Sequence, residues 1–160
     1  MKYRRLRKDE LEQLETNFIR FLAAYSIDGP QWERLKKEQP AESDALIDKF
    51  SEVVFEKTLK NLTYLQYKTP KDIKVFHCLP DKMIMMGIMV EGESDLDFTK
   101  QDDKDSMLQQ MRQSGAELKV YQAQKAYNGS REDELFKMME HGCLISDGSL
   151  FQLIRSLVKA

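Results

Sequence analysis

The chain has 160 residues, of which 41% are hydrophobic and 32% are charged, and its formal net charge is −2. These values are typical of one globular domain and exclude a disordered chain, and no apolar run approaches the roughly 20 residues that span a bilayer. The small net charge gives no overall reason to expect nucleic acid or an anionic membrane as a partner. Two cysteines are too few for a disulfide framework, so we expect a cytoplasmic protein with free thiols.

Helices are predicted for the first part of the chain. Apolar residues recur at steps of three and four and indicate an amphipathic helix from about residue 8 to 25. Pro30 opens a short second helix, and a third helix follows Pro40 and extends to about residue 60. The wide apolar stripe of the first helix has two possible partners, namely the sheet of the same chain or a second copy of the protein.

The hydrophobic period then changes to that of strands. Four segments rich in β-branched, aromatic and apolar residues are predicted as strands: 62–69, 73–79, 82–90 and 117–127. Because short turns join the first three, neighbouring strands should be antiparallel. The acidic segment that follows residue 90 is predicted as a surface loop, and a short helix then ends at Gly115.

Two further helices are predicted near the end of the sequence. One covers about residues 131–141, with Ser130 as its N-cap, and the last carries the apolar residues between 150 and 158. The order of helices, strands and helices predicts an α+β fold with an antiparallel sheet of about four strands packed against N-terminal and C-terminal helices. Since no linker is visible, we expect a single domain over residues 1–160.

The sequence MMEHGCLISDGSLF, at 138–151, concentrates reactive residue types. In a structural interpretation, Gly142 ends one helix in a left-handed conformation, and Ser146 or Asp147 caps the next. Residues 143–145 would then form a buried connection. In a catalytic interpretation, Cys143 is a nucleophile, His141 its base and Asp147 the group that orients the base. The second interpretation requires a thiolate in a polar, partly exposed place within hydrogen-bond reach of the imidazole.

Two groups of residues contain side chains that can bind a metal ion. His77, Cys78, His141 and Cys143 could supply a tetrahedral zinc site, but adjacent residues on a strand point to opposite faces. The sequence KMIMMGIMV, at 82–90, contains four methionines that could bind Cu(I). Because both faces of this strand are apolar, we expect a central strand buried on both sides. Gly87 within it predicts a bulge or a close backbone approach.

Two charged segments have opposite signs. The acidic one lacks the ligand spacing of a calcium loop and has as its carboxylates Glu91, Glu93, Asp95, Asp97, Asp102, Asp103 and Asp105. The basic one, at the N-terminus, could contact phosphate or an acidic protein through Lys2, Arg4, Arg5, Arg7 and Lys8. A basic cluster alone is weak evidence for nucleic-acid binding, and the two segments could attract each other within or between chains.

Three stretches carry a resemblance: MKYRRLRKDELEQLE, TPKDIKVFHCLPDK and EDELFKMMEHGCLISDGSLFQL. In these the chain resembles a family of small uncharacterised bacterial proteins, a domain of unknown function. The resemblance implies a bacterial cytosolic origin and one full-length domain, and it brings no activity, cofactor or catalytic residue.

The leading functional hypothesis is a non-catalytic cytosolic protein-interaction or binding domain that needs no cofactor. Its partner would be another protein or a second copy of the chain, and not a membrane. One alternative is a hydrolase or transferase that uses Cys143 with His141 or His77. A further alternative is weak nucleic-acid binding through the basic N-terminus.

Overall fold

The computed structural model describes residues 1–100 and 103–158, and the chain divides into two compact units, Met1–Lys60 and Asn61–Ala160. The organisation of residues 1–160 as one domain stays a prediction. Asp102, one of the acidic residues of the predicted loop, lies outside the described residues. In the part of the chain described, no helix combines the length and hydropathy needed to cross a membrane.

The N-terminal unit is helical. Its helices are α1 (Lys8–Gln13), α2 (Glu15–Ala24), α3 (Gly29–Glu38) and α4 (Pro40–Asn61). The prediction of one continuous helix from about residue 8 to 25 is therefore wrong at Leu14, where the backbone leaves helical geometry at φ −103° and ψ 20°. At the start of α3, Asp28 accepts a hydrogen bond from the Gln31 backbone, and the Gln31 side chain accepts one from Asp28 N at 2.9 Å. This reciprocal capping explains why α3 begins at this position.

An aromatic cluster holds the N-terminal unit together. The Phe18 ring lies 5.2 Å from Trp32 of α3 and 5.0 Å from Phe50 of α4, and Phe21 lies 5.2 Å from Phe50. Aromatic pairs at these separations stabilise a core beyond the area that they bury. The apolar stripe of α2 thus packs on α3 and α4 of its own unit, whereas the two partners expected from the sequence are the sheet and a second copy of the chain.

The C-terminal unit contains a five-stranded antiparallel sheet in the order β4-β3-β2-β1-β5. Its strands are β1 (Tyr64–Thr69), β2 (Asp72–Cys78), β3 (Lys82–Glu91), β4 (Glu117–Ala126) and β5 (Leu144–Ser146). The α+β class and the antiparallel sheet are confirmed, but the strand count is five instead of about four. The additional strand, β5, pairs with the start of β1.

One face of this sheet forms the main core of the unit. Alternate residues of β2 and β3, including Ile73 and Ile88, pack against Phe151 of the last helix. Three helices accompany the sheet: α5 (Lys104–Ser114), α6 (Arg131–Glu140) and α7 (Ser149–Val158). The acidic segment was predicted as a surface loop, but its Leu96 and Phe98 are buried in this core. Lys71 fixes the segment by donating hydrogen bonds to the carbonyls of Ser94 and Leu96.

The opposite face of the sheet is only partly covered. On β3, Met83 is buried but Met89 is 37% exposed, so the expected burial of this strand on both sides is wrong at its far end. The predicted close approach at Gly87 is confirmed: the ring of Tyr121 on β4 lies over it, and the Tyr121 hydroxyl donates to Asp72. The register of β3 with both neighbours continues through Gly87 without a bulge.

Candidate functional site

The turn between α6 and α7 follows the structural interpretation. Gly142 has φ +108°, and the next backbone N–H, that of Cys143, donates to the Met138 carbonyl at 3.0 Å. This geometry ends α6 and favours glycine. His141 Nδ1 lies 2.8 Å from the Lys137 carbonyl, and because a carbonyl only accepts, Nδ1 carries a proton.

The three residues of the catalytic interpretation serve separate local purposes. Cys143 is half-buried, and burial raises the pKa of its thiol. Asp147 Oδ1 accepts a hydrogen bond from Ser149 N at 2.9 Å, which holds the pKa of Asp147 below its usual value and caps α7. In the described residues no hydrogen bond joins Cys143, His141 and Asp147. The structure therefore does not assemble them into a catalytic group.

The segment after Cys143 corrects one expectation. Residues 143–145 were predicted as a buried connection, but Leu144 is 64% and Ile145 is 53% exposed. Both belong to β5, an edge strand that has a neighbour on one side only. Their apolar side chains lie on the surface because the sheet ends there.

His77 and Cys78 lie on opposite faces of β2, as alternation requires. The His77 ring stacks on Tyr64 at 4.6 Å and contacts Phe151 edge-on at 5.4 Å. Burial, followed by the charge of Arg155, lowers the pKa of His77. Cys78 is buried, and burial raises the pKa of its thiol to about 12. In residues 1–100 and 103–158, no three histidine, cysteine or carboxylate side chains are grouped closely enough to hold a metal ion.

A shallow cavity of about 450 Å³ adjoins His77 on the core face of the sheet. Arg155 of α7 and two glutamines of β4, Gln122 and Gln124, supply its polar lining, and Ile84 and Phe151 supply apolar walls. The two glutamines and Arg155 are exposed, so this cavity is an open surface depression.

The basic N-terminal residues are largely neutralised within their own unit. Arg5 Nε donates to Asp48 at 2.6 Å, which lowers the pKa of Asp48, and Arg4 binds Glu10 at 2.7 Å. Further ion pairs join Lys2 to Glu56, Arg5 to Asp44, and Arg7 to Asp9 and Glu10. Because these cations already face carboxylates, the segment offers phosphate less positive charge than its sequence suggests.

A groove of about 1090 Å³ is lined entirely by residues of the N-terminal unit. We call it the α1–α3 groove. One face of α1 and α2, the turn after α2, and one face of α3 form its walls, and its apolar residues are Leu11, Phe18, Ile19, Leu22, Ala23, Ile27 and Trp32. Ile19 is 58% exposed within it. A concave surface with an apolar lining is a candidate binding site.

Charged residues line the rim of the α1–α3 groove. Glu12 and Glu15 lie along the α1–α2 side together with Lys8, and Glu33 and Lys36 lie along the α3 side. Lys36 Nζ lies 2.9 Å from Glu33, so these two charges offset each other. The α1–α2 side therefore carries an excess of negative charge.

Similarity to known sequences identifies the family of the chain. A model for a family of unknown function, DUF6495, matches residues 1–159. The chain belongs to the DUF6495 family. No curated protein and no solved structure shows significant similarity to it.

Two residues that anchor α6 in this DUF6495 protein, Tyr127 and Arg131, were not predicted from the sequence. Arg131 at the start of α6 donates to the backbone carbonyls of Leu62, Cys78 and Leu79. Tyr127 also donates to the Leu79 carbonyl, at 2.7 Å. These bonds tie α6 to the ends of β1 and β2. Only the composition of the segment 127–131, a tyrosine and an arginine around a turn, could have suggested them.

Proposed function

We propose that this DUF6495 protein is a non-catalytic cytosolic interaction domain that binds an amphipathic helix of a partner protein in the α1–α3 groove. The observation that carries the proposal is the exposed apolar surface around Ile19 inside the α1–α3 groove. Two free thiols support a reducing compartment.

The shape of the groove favours a helix over a flat partner surface. The apolar lining follows the helical spacing of Leu11, Ile19 and Leu22 on one side and faces Trp32 on the other. Helices bound in grooves present apolar side chains at positions i, i+3 or i+4, and i+7.

The charge of the rim specifies the partner further. Glu12 and Glu15 lie on the α1–α2 side without an ion pair among the described contacts. A partner helix with lysine or arginine beside its apolar face would complement them, since opposite charges at an interface rim increase the association rate and set orientation. We therefore expect a partner helix with a basic flank.

The substitution Ile19→Lys tests the proposal, with Val53→Lys as its matched control. Val53 on α4 is 51% exposed and does not line the groove, so both variants place a lysine at an exposed apolar helix position of the same unit. Peptides selected from a displayed library against the wild-type protein would be the probe. Burial of an isoleucine side chain is worth about 1.5–3 kcal/mol, so Ile19→Lys should weaken peptide binding by about tenfold or more.

The expected peptides have the helical apolar spacing and a basic flank, and they bind the Val53→Lys variant as tightly as the wild type. The variant Glu15→Lys should reduce the preference for basic peptides. The proposal fails if the selected peptides bind Ile19→Lys unchanged, or if the groove takes up fatty acids or other small apolar molecules in place of peptides.

A further inference from the structure

Among the described residues, no strand pairs with the outer edge of β4. β4 is the terminal strand of the sheet, and its register with β3 is continuous from Lys82 and Ala126 to Glu91 and Glu117. In an antiparallel pair, alternate residues direct their backbone N–H and C=O groups away from the neighbour. Within the described residues, no backbone group of 117–126 makes a hydrogen bond other than those to β3.

β4 also lacks several of the features that usually protect an edge strand. Proteins protect sheet edges with short strands, prolines, bulges or a covering element. The other edge of this sheet, β5, has only three residues, but β4 has ten and contains neither proline nor glycine. Apart from charged side chains on one face, nothing in β4 prevents pairing with another strand.

We propose that β4 pairs antiparallel with β4 of a second copy of the chain, about a two-fold axis at Tyr121. In that register Glu117 lies opposite the partner's Lys125, and this opposite-charge pair occurs twice. Lys119 lies opposite an alanine, the partner's Ala123, so no like charges face each other. Directly opposed opposite charges stabilise a strand pair, and like charges destabilise it.

Neighbouring two-fold registers fit less well. An axis one residue later would place Lys119 opposite the partner's Lys125, which are like charges. An axis one residue earlier would shorten the overlap and leave Glu117 opposite an alanine. An axis between two residues would place outward-directed backbone groups opposite inward-directed ones, and the ladder would not form. Charge and backbone geometry therefore select the register centred on Tyr121.

The position of Glu117 in its own chain allows a test that separates pairing from folding. Glu117 lies directly opposite Glu91 in the β3–β4 register, and both are exposed. Glu117→Lys removes this like-charge opposition, so the monomer should keep or gain stability. In the dimer, the same substitution places lysine opposite the partner's Lys125, and the dissociation constant should rise by about tenfold or more.

The experiment is sedimentation equilibrium of the full chain over a wide concentration range, with far-UV circular dichroism to check folding. The wild type should dimerise and Glu117→Lys should be largely monomeric. Glu91→Lys is the matched control, because it removes the same opposition within the chain but lies on β3, away from the pairing edge. It should dimerise like the wild type.

A mixture experiment tests the register itself. Lys125→Glu alone should also be monomeric, since it places glutamate opposite the partner's Glu117. An equimolar mixture of the Glu117→Lys and Lys125→Glu variants should dimerise again, because every opposed pair in the heterodimer then has opposite charges. Lys125 also binds Glu134 in its own chain, so the folding check applies to this variant as well.

A wild-type protein that stays monomeric at all concentrations overturns the proposal. So does a dimer that Glu117→Lys leaves unchanged, or a mixture that remains monomeric, because either result places the interface elsewhere or in another register. None of these outcomes bears on peptide binding in the α1–α3 groove, which lies in the other unit.

Discussion

Replacement of Gly87 with alanine should destabilise the sheet because the Tyr121 ring occupies the place of the new methyl group. A Cβ at residue 87 would lie 2.6 Å from the Tyr121 hydroxyl oxygen and closer still to two ring carbons. The ring must therefore move, and its hydrogen bond to Asp72 breaks. Asp72 keeps its ion pair with Lys74 at 2.7 Å, which limits the loss.

The size of the effect follows from three contributions. The broken bond to a carboxylate costs about 1.5 kcal/mol, at the lower end for a charged acceptor because the site is partly exposed. Displacement of the ring costs about 1 kcal/mol more. Alanine stabilises a strand by about 0.5–1 kcal/mol relative to glycine because it loses less conformational entropy on folding, and this offsets part of the loss. The net destabilisation should be about 1.5–2 kcal/mol.

The assay is urea unfolding followed by far-UV circular dichroism. Tryptophan fluorescence is unsuitable because the one tryptophan, Trp32, lies in the N-terminal unit. For a slope of about 2 kcal/mol per molar urea, Gly87→Ala should lower the midpoint by about 0.75 to 1 molar. In a Tyr121→Ala background the methyl group has free space, so Gly87→Ala should be neutral or stabilising.

This change of sign is the decisive result. If Gly87→Ala destabilises the protein equally with and without the Tyr121 ring, then contact with the ring does not cause the destabilisation. Tyr121→Phe, which keeps the ring and removes only the hydroxyl, measures the bond to Asp72 separately.

Three further predictions concern ionisable groups. Both thiols should be alkylated slowly at neutral pH, Cys143 before Cys78, because burial raises the pKa of each and brings that of Cys78 to about 12. In an NMR titration His77 should have a pKa below its ordinary 6.5, and Arg155→Gln should raise that pKa. A hydrogen bond from the Arg4 guanidinium lowers the pKa of Glu10 in the folded chain. The Glu10 carboxylate should therefore stabilise the fold fully above its ordinary pKa of 4.5. This stabilisation should be lost as the pH falls through the lower pKa of the folded chain.

Each of these measurements has a contrary result. Fast alkylation of Cys143 with a midpoint below about pH 8 would support the cysteine-enzyme alternative. A His77 pKa that is identical in Arg155→Gln would show that burial alone lowers it. Glu10→Gln should flatten the acid limb of the stability profile, and an unchanged profile would remove Glu10 as a contributor.

The sequence was most informative about elements with a local period. The four predicted strands agree with the observed ones to within about two residues, because alternation along a strand is set by which of its own residues are buried. The turn at Gly142 and the capping by Asp147 were also predictable, since both depend on neighbouring residues. The break at Leu14 was not predictable, because the apolar residues keep their helical spacing on both sides of the break.

Features that depend on distant residues could not be predicted. β5 has three residues, too few to show a period, and it exists because β1 offers it an edge. The exposure of Leu144 likewise reflects the end of the sheet and not the residue type. The neutralisation of Arg5 depends on Asp48 in α4, and the α1–α3 groove depends on how α3 returns beside α2.

The strand order has a consequence for synthesis on the ribosome. The hairpins of β1, β2 and β3 can form as soon as they emerge, but Tyr64 must wait for Ser146, and the core face around Ile73 must wait for Phe151. Contacts between residues so distant in sequence slow folding. The nascent chain should therefore present a half-covered apolar sheet to chaperones and proteases until its last helix has been made.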